Sequence, residues 1–326
     1  MQLKTKPLSR KRSFIAWLKL IRLPNIIILA AIIVLLHVGV YMPFYASLYV
    51  VTPLNGWVFG LFLLSVSMIA SGGNIINDYF DYQIDLINKP EKLVIEKEIS
   101  KQAALSVYMA LTGAGIVGGF ITGWLIGEFK IGFFFGFGAL ILYSYSETFK
   151  RKLLIGNLII ALLGFLFVLL LWIIEFFALR NAAGSFAVVY PSFIKINILM
   201  GGYGLFAFLT TLIREIIKDM EDVEGDKVNG CQTLPISKGV NSTRLVVNSL
   251  ILITIILLIL CQYLCWVNNL QVLSLFIAPA IQLQLILLLI HFQKAQYKAD
   301  YHAASISMKW IMVAGILGIQ LINLHF

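Results

Sequence analysis

Residues 77–90 read NDYFDYQIDLINKP and residues 214–230 read REIIKDMEDVEGDKVNG. The spacing of Asp78, Asp81 and Asp85, D-x2-D-x3-D, recurs as Asp219, Asp222 and Asp226, and in both stretches an Asn (Asn88, Asn229) follows the last Asp by three. Nine of the chain's 16 acidic residues lie in these two stretches, with Glu215, Glu221 and Glu224 completing the count. On a helix turning about 100° per residue, Asn74, Asp78, Asp81 and Asp85 share roughly a 60° sector, with Asn77 at its edge. One such row at a helix end is ordinarily a solvated terminus; a second copy with the same spacing argues for a shared task. If the two faces converge, unit charges about 4 Å apart at an effective dielectric of about 20 repel by roughly 4 kcal/mol, and a cation must sit between them. Hard oxygen donors without His or Cys suit Mg²⁺, which keeps waters and completes its octahedron with substrate phosphate oxygens. The pair of motifs therefore reads as a diphosphate–Mg²⁺ site.

The elements that must position these residues are membrane helices. Over 326 residues, 60% are hydrophobic and 13% charged, and the mean hydropathy is +0.91, too apolar for a soluble globule. At about 20 apolar residues per span, nine candidates emerge near 23–42, 56–77, 103–126, 130–146, 153–178, 194–217, 244–266, 271–292 and 304–325. Long apolar runs without alternating decads favour helices over a barrel, so the expected fold is all-α. The two motifs close the second and sixth spans, which suggests duplicated four-helix bundles plus one helix, within a single membrane-embedded domain over 1–326. Residues 1–22 would form a basic cytoplasmic tail, and 77–102 and 214–243 the loops of the active site.

Lys and Arg crowd the N-terminal tail and recur in every second loop: Lys89 to Lys101, Lys150 to Lys152, Arg214 to Arg244, and Lys294 with Lys298. The intervening loops hold only Lys130, Arg180 and Lys195. The positive-inside rule then turns the N-terminus and both acidic motifs to the cytoplasm, at the plasma membrane or its equivalent. The net charge of +9 mostly expresses this bias, whose natural partner is anionic lipid; no soluble basic domain or motif speaks for nucleic acid. The first span is longer than a signal h-region and has no small-residue cleavage site after it. Cys231, Cys261 and Cys265 form no CxxC pair, and His37, His291, His302 and His325 lack ligand spacing. The glycines of GAGIVGG (113–119) and GGYG (201–204) lie within apolar helices, where small residues permit close helix contact.

N-D-x2-D-x3-D with a trailing N-K-P, and later D-x2-D-x3-D-x3-G-x2-T-L-P, resembles the UbiA-type intramembrane prenyltransferase superfamily. RLPN (22–25) resembles the start of the family's first helix, and LYSYSETFKRKLLIGN (142–157) its fourth connection. The resemblance implies that Asn77, Asp81 and Asp85 form the first motif and Asp219, Asp222 and Asp226 the second, holding Mg²⁺ against an isoprenyl diphosphate, with Asp78 and Glu215 assisting. Asp81, Asp85, Asp222 and Asp226 would carry catalysis, while Arg22, Asn25, Asn77, Lys92, Lys150, Arg151 and Arg214 would meet the substrates. The chain departs from the family pattern after the first motif, where NKPEKLVIEKEIS (88–100) stands in place of N-R-P-x-R-P-x-P-S-G.

Within the superfamily, REIIKDMEDVEGD with TLPI most resembles members that add geranylgeranyl to geranylgeranylglyceryl phosphate. The reaction implied is ionisation of an allylic diphosphate followed by attack of a lipophilic acceptor on its first carbon, in a chamber that excludes water. Tyr79, Phe80, Tyr143, Tyr145, Tyr203 and Phe208 are candidates for its aromatic walls. Prenylation of an aromatic quinone precursor and, outside enzymes, a cation transporter are the alternatives; the D-G-x2-A-R signature of CDP-alcohol phosphotransferases is missing.

Overall fold

The computed structural model describes residues 10–322. Lys4 and Lys6 of the expected basic tail, His325 and the last residues of the ninth span lie outside the described residues. Helix α1 (Arg10–Leu20) precedes α2 (Leu23–Leu36), which runs through a π-helical stretch, His37–Tyr41, into α3 (Met42–Ser47). Next come α4 (Gly56–Asn88), α5 (Lys101–Leu125), α6 (Ile131–Glu147), α7 (Ile155–Asn181) and the short α8 (Ala183–Val189). They are followed by α9 (Phe193–Glu221), α10 (Val223–Val228), α11 (Leu234–Lys238) and α12 (Val240–Val267). The chain continues with α13 (Gln271–Ile277), a second π-helical stretch at Ala278–Gln282, α14 (Leu283–Gln293) and α15 (Lys298–Gly318). Among the described residues there is no strand, only an isolated bridge between Ile95 and Ile99.

Eight helical segments are long and apolar enough to cross a membrane, and α6, at 17 residues, is a shorter ninth. All nine expected spans are thus helices, and the protein is an all-α polytopic membrane protein. Large apolar side chains such as Trp124, Phe133, Ile256 and Trp310 are exposed along these helices, as lipid-facing residues must be. Two helices overrun their expected ends. Helix α4 continues past residue 77 to Asn88, and α9 past 217 to Glu221, so the first part of each expected loop is helical. The first Asp row and Asp219 of the second gain from this a rigid backbone in place of a loop.

The chain divides into two compact units, one of Met1–Ala31, Leu54–Lys150 and Glu224–Gly230, the other of Ile32–Pro53, Arg151–Val223 and Cys231–Phe326. The division does not follow the sequence repeat. The first unit takes Glu224–Gly230 from the second half of the chain, and the second takes Ile32–Pro53 from the first.

In the first unit α4, α5 and α6 pack on one another. A Cβ on Gly115 would lie 2.8 Å from the carbonyl oxygen of Ser65 and 2.6 Å from the Ile69 side chain, so the GAGIVGG glycines do permit close approach of α5 to α4. Asn55 caps α4 by accepting from Val58 N–H at 3.1 Å, and Ser100 caps α5 by accepting from Ala103 N–H at 3.2 Å. Residues 89–100, where the sequence leaves the family pattern, are held by apolar packing: Val94, Ile95 and Ile99 are buried with Ala16 and Leu20 of α1, Ile75 of α4 and Ala104 of α5.

In the second unit α9 packs on α7, α12 and α15. His37 and Glu175 meet there, Nδ1 to Oε1 at 2.5 Å, and the Tyr45 hydroxyl donates to Glu175 Oε2 at 3.3 Å. Glu175 is 0% exposed. The Tyr41 hydroxyl, on the π-helical stretch, is buried with no hydrogen-bond partner.

Candidate active site

The first Asp row occupies the last three turns of α4, where the helix leaves the apolar stretch. Asn77 Nδ2 donates to Asp81 Oδ2 at 2.7 Å, a bond that the four-residue spacing makes on one helical face. Two cations reach the row from other elements. Arg22, between α1 and α2, pairs with Asp78, and Lys150, in the turn after α6, pairs with Asp81. Arg22 itself has a positive φ of 54°, a backbone conformation that costs a non-glycine residue and is kept where the surroundings over-determine it. Asn74 Nδ2 donates to the Ile21 carbonyl at 2.8 Å, which ties the adjoining residue of this bend to α4.

The electrostatics follow from that layout. Burial opposes the charge on Lys150, but Asp81, with Tyr145 and Asp85, outweighs it and holds the ammonium above its ordinary pKa. Burial likewise opposes the Arg22 charge, and Asp78, with Asp81 and Asp85 behind it, raises its pKa. Both groups are therefore fixed cations beside the carboxylates. Lys89, just past the end of α4, adds a third positive charge acting on Asp85.

Aromatic rings line up on the same unit. Tyr79 and Phe80 meet edge to face at 5.5 Å, Phe80 and Tyr143 at 5.7 Å, and Tyr143 stacks with Tyr108 at 6.4 Å. Lys101 Nζ sits 4.5 Å from the Tyr82 ring centroid and 6.0 Å from that of Tyr79, within cation–π range.

The second motif is divided between the units. Asp219 and Asp222 belong with α9 in the second unit, whereas Asp226, on α10, belongs to the first. Asp219 Oδ2 accepts from Asn157 Nδ2 at 2.8 Å, and Asn157 is buried in the first turn of α7. Arg214 donates to Glu215 at 2.9 Å, and Lys218 pairs with the same carboxylate at 3.1 Å. Asp226 is buried at 8% exposure, and the neighbouring Gly225 N–H is bonded by Asn88 of α4.

Of the expected substrate-binding residues, Arg22 and Lys150 are brought onto the Asp row. Lys92 and Asn25 are exposed and make no side-chain bond to that row among the described residues; Arg151 is exposed and lies in the second unit. Lys92 stands in the short 3₁₀ turn Pro90–Lys92, which the buried Val94–Ile99 stretch anchors with its charge outward.

Sequence reasoning passed over Asn157, Lys101 with Tyr82, Tyr108, and the Glu175–His37 pair. Glu175 had a readable signal, since a lone acid inside a 27-residue apolar helix marks a buried polar partner. The other three had none, because each is defined by a neighbour on a different helix.

Among the described residues no three carboxylate, imidazole or thiolate groups already converge as a metal cage. Mg²⁺ is commonly held through one or two carboxylates, with water and phosphate oxygens supplying the rest. The donors along α4, all hard oxygens from Asn77, Asp78, Asp81 and Asp85, fit it.

Fold and site together define a polytopic, all-helical membrane protein that carries Asp motifs at the ends of membrane-length helices. The chain belongs to the UbiA prenyltransferase family, which matches it over residues 39–313. It is 39% identical over 184 residues to digeranylgeranylglyceryl phosphate synthase of Thermococcus sibiricus, covering 56% of this chain and 57% of that protein. The synthase of Methanothermobacter thermautotrophicus is 34% identical over 198 residues, covering 60% and 62%. The synthase of Sulfolobus acidocaldarius is 32% identical over 238 residues, covering 71% and 72%. The chain thus spans only about three-fifths of the length of the first two relatives.

Among solved structures, digeranylgeranylglyceryl phosphate synthase in membranes superposes with a TM-score of 0.56 at 24% identity, over 94% of this chain and 99% of that one. A UbiA homologue from Archaeoglobus fulgidus bound to GPP and Mg²⁺ superposes with a TM-score of 0.52 at 17% identity, over 93% and 99%. At these identities the likeness bears on the fold alone.

Proposed function

We propose that the protein transfers a geranylgeranyl group from its diphosphate to geranylgeranylglyceryl phosphate, with Mg²⁺ held by the Asp motifs. The observation that carries this reading is the Asp row of α4 with Lys150 and Arg22 paired onto Asp81 and Asp78, in a member of a prenyltransferase family. Support for the acceptor comes from relatives named digeranylgeranylglyceryl phosphate synthase and from Arg214 and Lys218, cations beside the second motif that would attract an anionic lipid.

Asn77, Asp78, Asp81 and Asp85 would hold Mg²⁺ from the first motif, and Asp219, Asp222 and Asp226 are assigned to it by the repeated spacing. When bound, Mg²⁺ supplies charge neutralisation for the departing diphosphate. Lys150 and Arg22 would add fixed positive charge where the leaving group gathers negative charge as the allylic C1–O bond breaks. The acceptor hydroxyl oxygen then bonds to C1 and its proton leaves with the diphosphate or solvent. The Tyr79–Phe80–Tyr143–Tyr108 series offers ring faces to the positive charge that develops on the allyl group, and an apolar surround keeps water from competing as acceptor. The working membrane in this reading is the plasma membrane, with the basic loops and both motifs cytoplasmic.

The test is purified protein in detergent with labelled geranylgeranyl diphosphate and an equimolar mixture of geranylgeranylglyceryl phosphate, 4-hydroxybenzoate and dihydroxynaphthoate. The ether-lipid product should dominate, EDTA should stop its formation and added Mg²⁺ restore it. A dominant aromatic product overturns the acceptor; ion flux in liposomes with no diphosphate release from any allylic donor overturns the enzyme.

A further inference from the structure

Asn88 ends α4 three residues after Asp85, is 6% exposed, and its Oδ1 accepts a hydrogen bond from the backbone N–H of Gly225 at 2.9 Å, across 137 positions of sequence. Gly225 is the third residue of α10, so its N–H is among those a helix cannot satisfy internally. The carboxamide of Asn88 thus performs, from another helix, the task that an N-cap side chain performs from its own. The contact is close enough that a Cβ on the partner would displace the amide. A Cβ on Gly225 would lie 2.5 Å from Asn88 Cγ, 2.5 Å from Oδ1 and 2.6 Å from Nδ2, so the amide lies against the glycine Cα.

The Gly225 carbonyl accepts from Asn229 Nδ2 at 2.8 Å, which closes the far side of the short helix. The next residue, Asp226, is the buried last member of the second motif and falls in the same compact unit as the first motif, apart from Asp219 and Asp222.

We propose that Asn88 is a positioning residue: its cap on Gly225 fixes α10 to the end of α4 and so sets Asp226 in register with the Asp row that holds the cation and diphosphate. The assignment of Asp226 to cation binding rests on the function proposed above; the cap on α10 does not. The double appearance of Asn three residues beyond the last Asp then has two different meanings, since Asn88 binds the other motif and Asn229 binds its own helix.

The test measures the latch and its consequence separately in the full chain. Asn88→Ala and Gly225→Ala, purified in detergent without metal, should each raise hydrogen exchange in the peptide spanning residues 223–228 by at least about tenfold. Asn88→Asp retains an acceptor oxygen and should keep that protection within about twofold of wild type. In both alanine variants the Mg²⁺ concentration for half-maximal binding of a thio-diphosphate analogue of geranylgeranyl diphosphate should rise about 10–100-fold, the scale of losing an orienting partner of a metal ligand. Unchanged exchange in either folded alanine variant, or deprotection in Asn88→Asp, overturns the latch. Deprotection with no change in the Mg²⁺ requirement overturns its bearing on the cation. A wild type that shows the protection and yet transfers no prenyl group to any acceptor refutes the proposed function and leaves the latch standing.

Discussion

The carboxylates of α4 and the single carboxylate of α7 are polar clusters on membrane-length helices, and they are built in opposite ways. Asp78 keeps 22% of its side chain exposed, sits at a helix end, and takes its counter-charge from a cation at a bend. Glu175 is wholly buried, sits inside an apolar helix, and has its oxygens engaged by an imidazole and a phenol. Asp78 and Asp81 each have one carboxylate oxygen engaged by side chains, whereas both oxygens of Glu175 are taken. Completeness of internal pairing therefore separates the working carboxylate from the structural one, where residue type does not.

The largest effect expected from this contrast falls on the α4 row. Asp81→Asn should reduce prenyl transfer per folded molecule by at least about 100-fold, the scale of losing a strong electrostatic stabiliser. Asp222→Asn should do the same if the two motifs serve one site. Near-normal turnover by a folded Asp81→Asn would make α4 as structural as α7.

The sealed cluster should behave in reverse. Glu175→Ala leaves a buried imidazole and phenol unsatisfied, and removing one partner of a buried pair costs about 3–5 kcal/mol, so the protein should melt at clearly lower temperature. Turnover per folded molecule should stay within about twofold. A loss of transfer without a loss of stability would promote Glu175 to the reaction and erase the distinction.

Smaller shifts sharpen the comparison. Lys150→Met should raise the KM for the diphosphate donor about 10–100-fold, since a hydrogen bond to a charged group is worth about 1.5–3 kcal/mol. Because Asp81 holds the pKa of Lys150 above its ordinary value, its stabilising charge is fully present below that ordinary value and is lost only as pH rises through the raised one. Thermal midpoints of wild type and Lys150→Met should accordingly differ by a constant amount from pH 8 to 10; a gap that closes within this range would show Lys150 titrating there. Arg214→Ala should raise the KM of the phosphate acceptor more than that of the donor, and the opposite order would put Arg214 on the diphosphate.

Much of the molecule is legible in its residues taken in order. Mean hydropathy and run length are enough for nine membrane helices, because lipid demands of each span a property that the span carries alone. The Asp rows and the Mg²⁺ chemistry they suggest follow from helical period, since residues three and four apart share a face whatever lies opposite. The reach of α4 to Asn88 was not legible, because span length was counted on apolar residues and the polar last turns look like loop. Nor was the exposed placement of Lys92, next to the buried stretch Val94, Ile95 and Ile99.

What only the tertiary structure decided is which partner each polar group has. Arg22 meets Asp78 across 56 residues, Lys150 meets Asp81 across 69, Asn157 meets Asp219 across 62, and His37 meets Glu175 across 138. Asn88 likewise finds Gly225, and Asp226 falls in the same compact unit as the first motif. A membrane helix is apolar nearly all round, so its sequence does not announce which side meets a neighbour. The rotation of one helix against the next, set by small residues and side-chain fit along the whole contact, chooses which lone Asn, Lys or Glu will face which Asp or His.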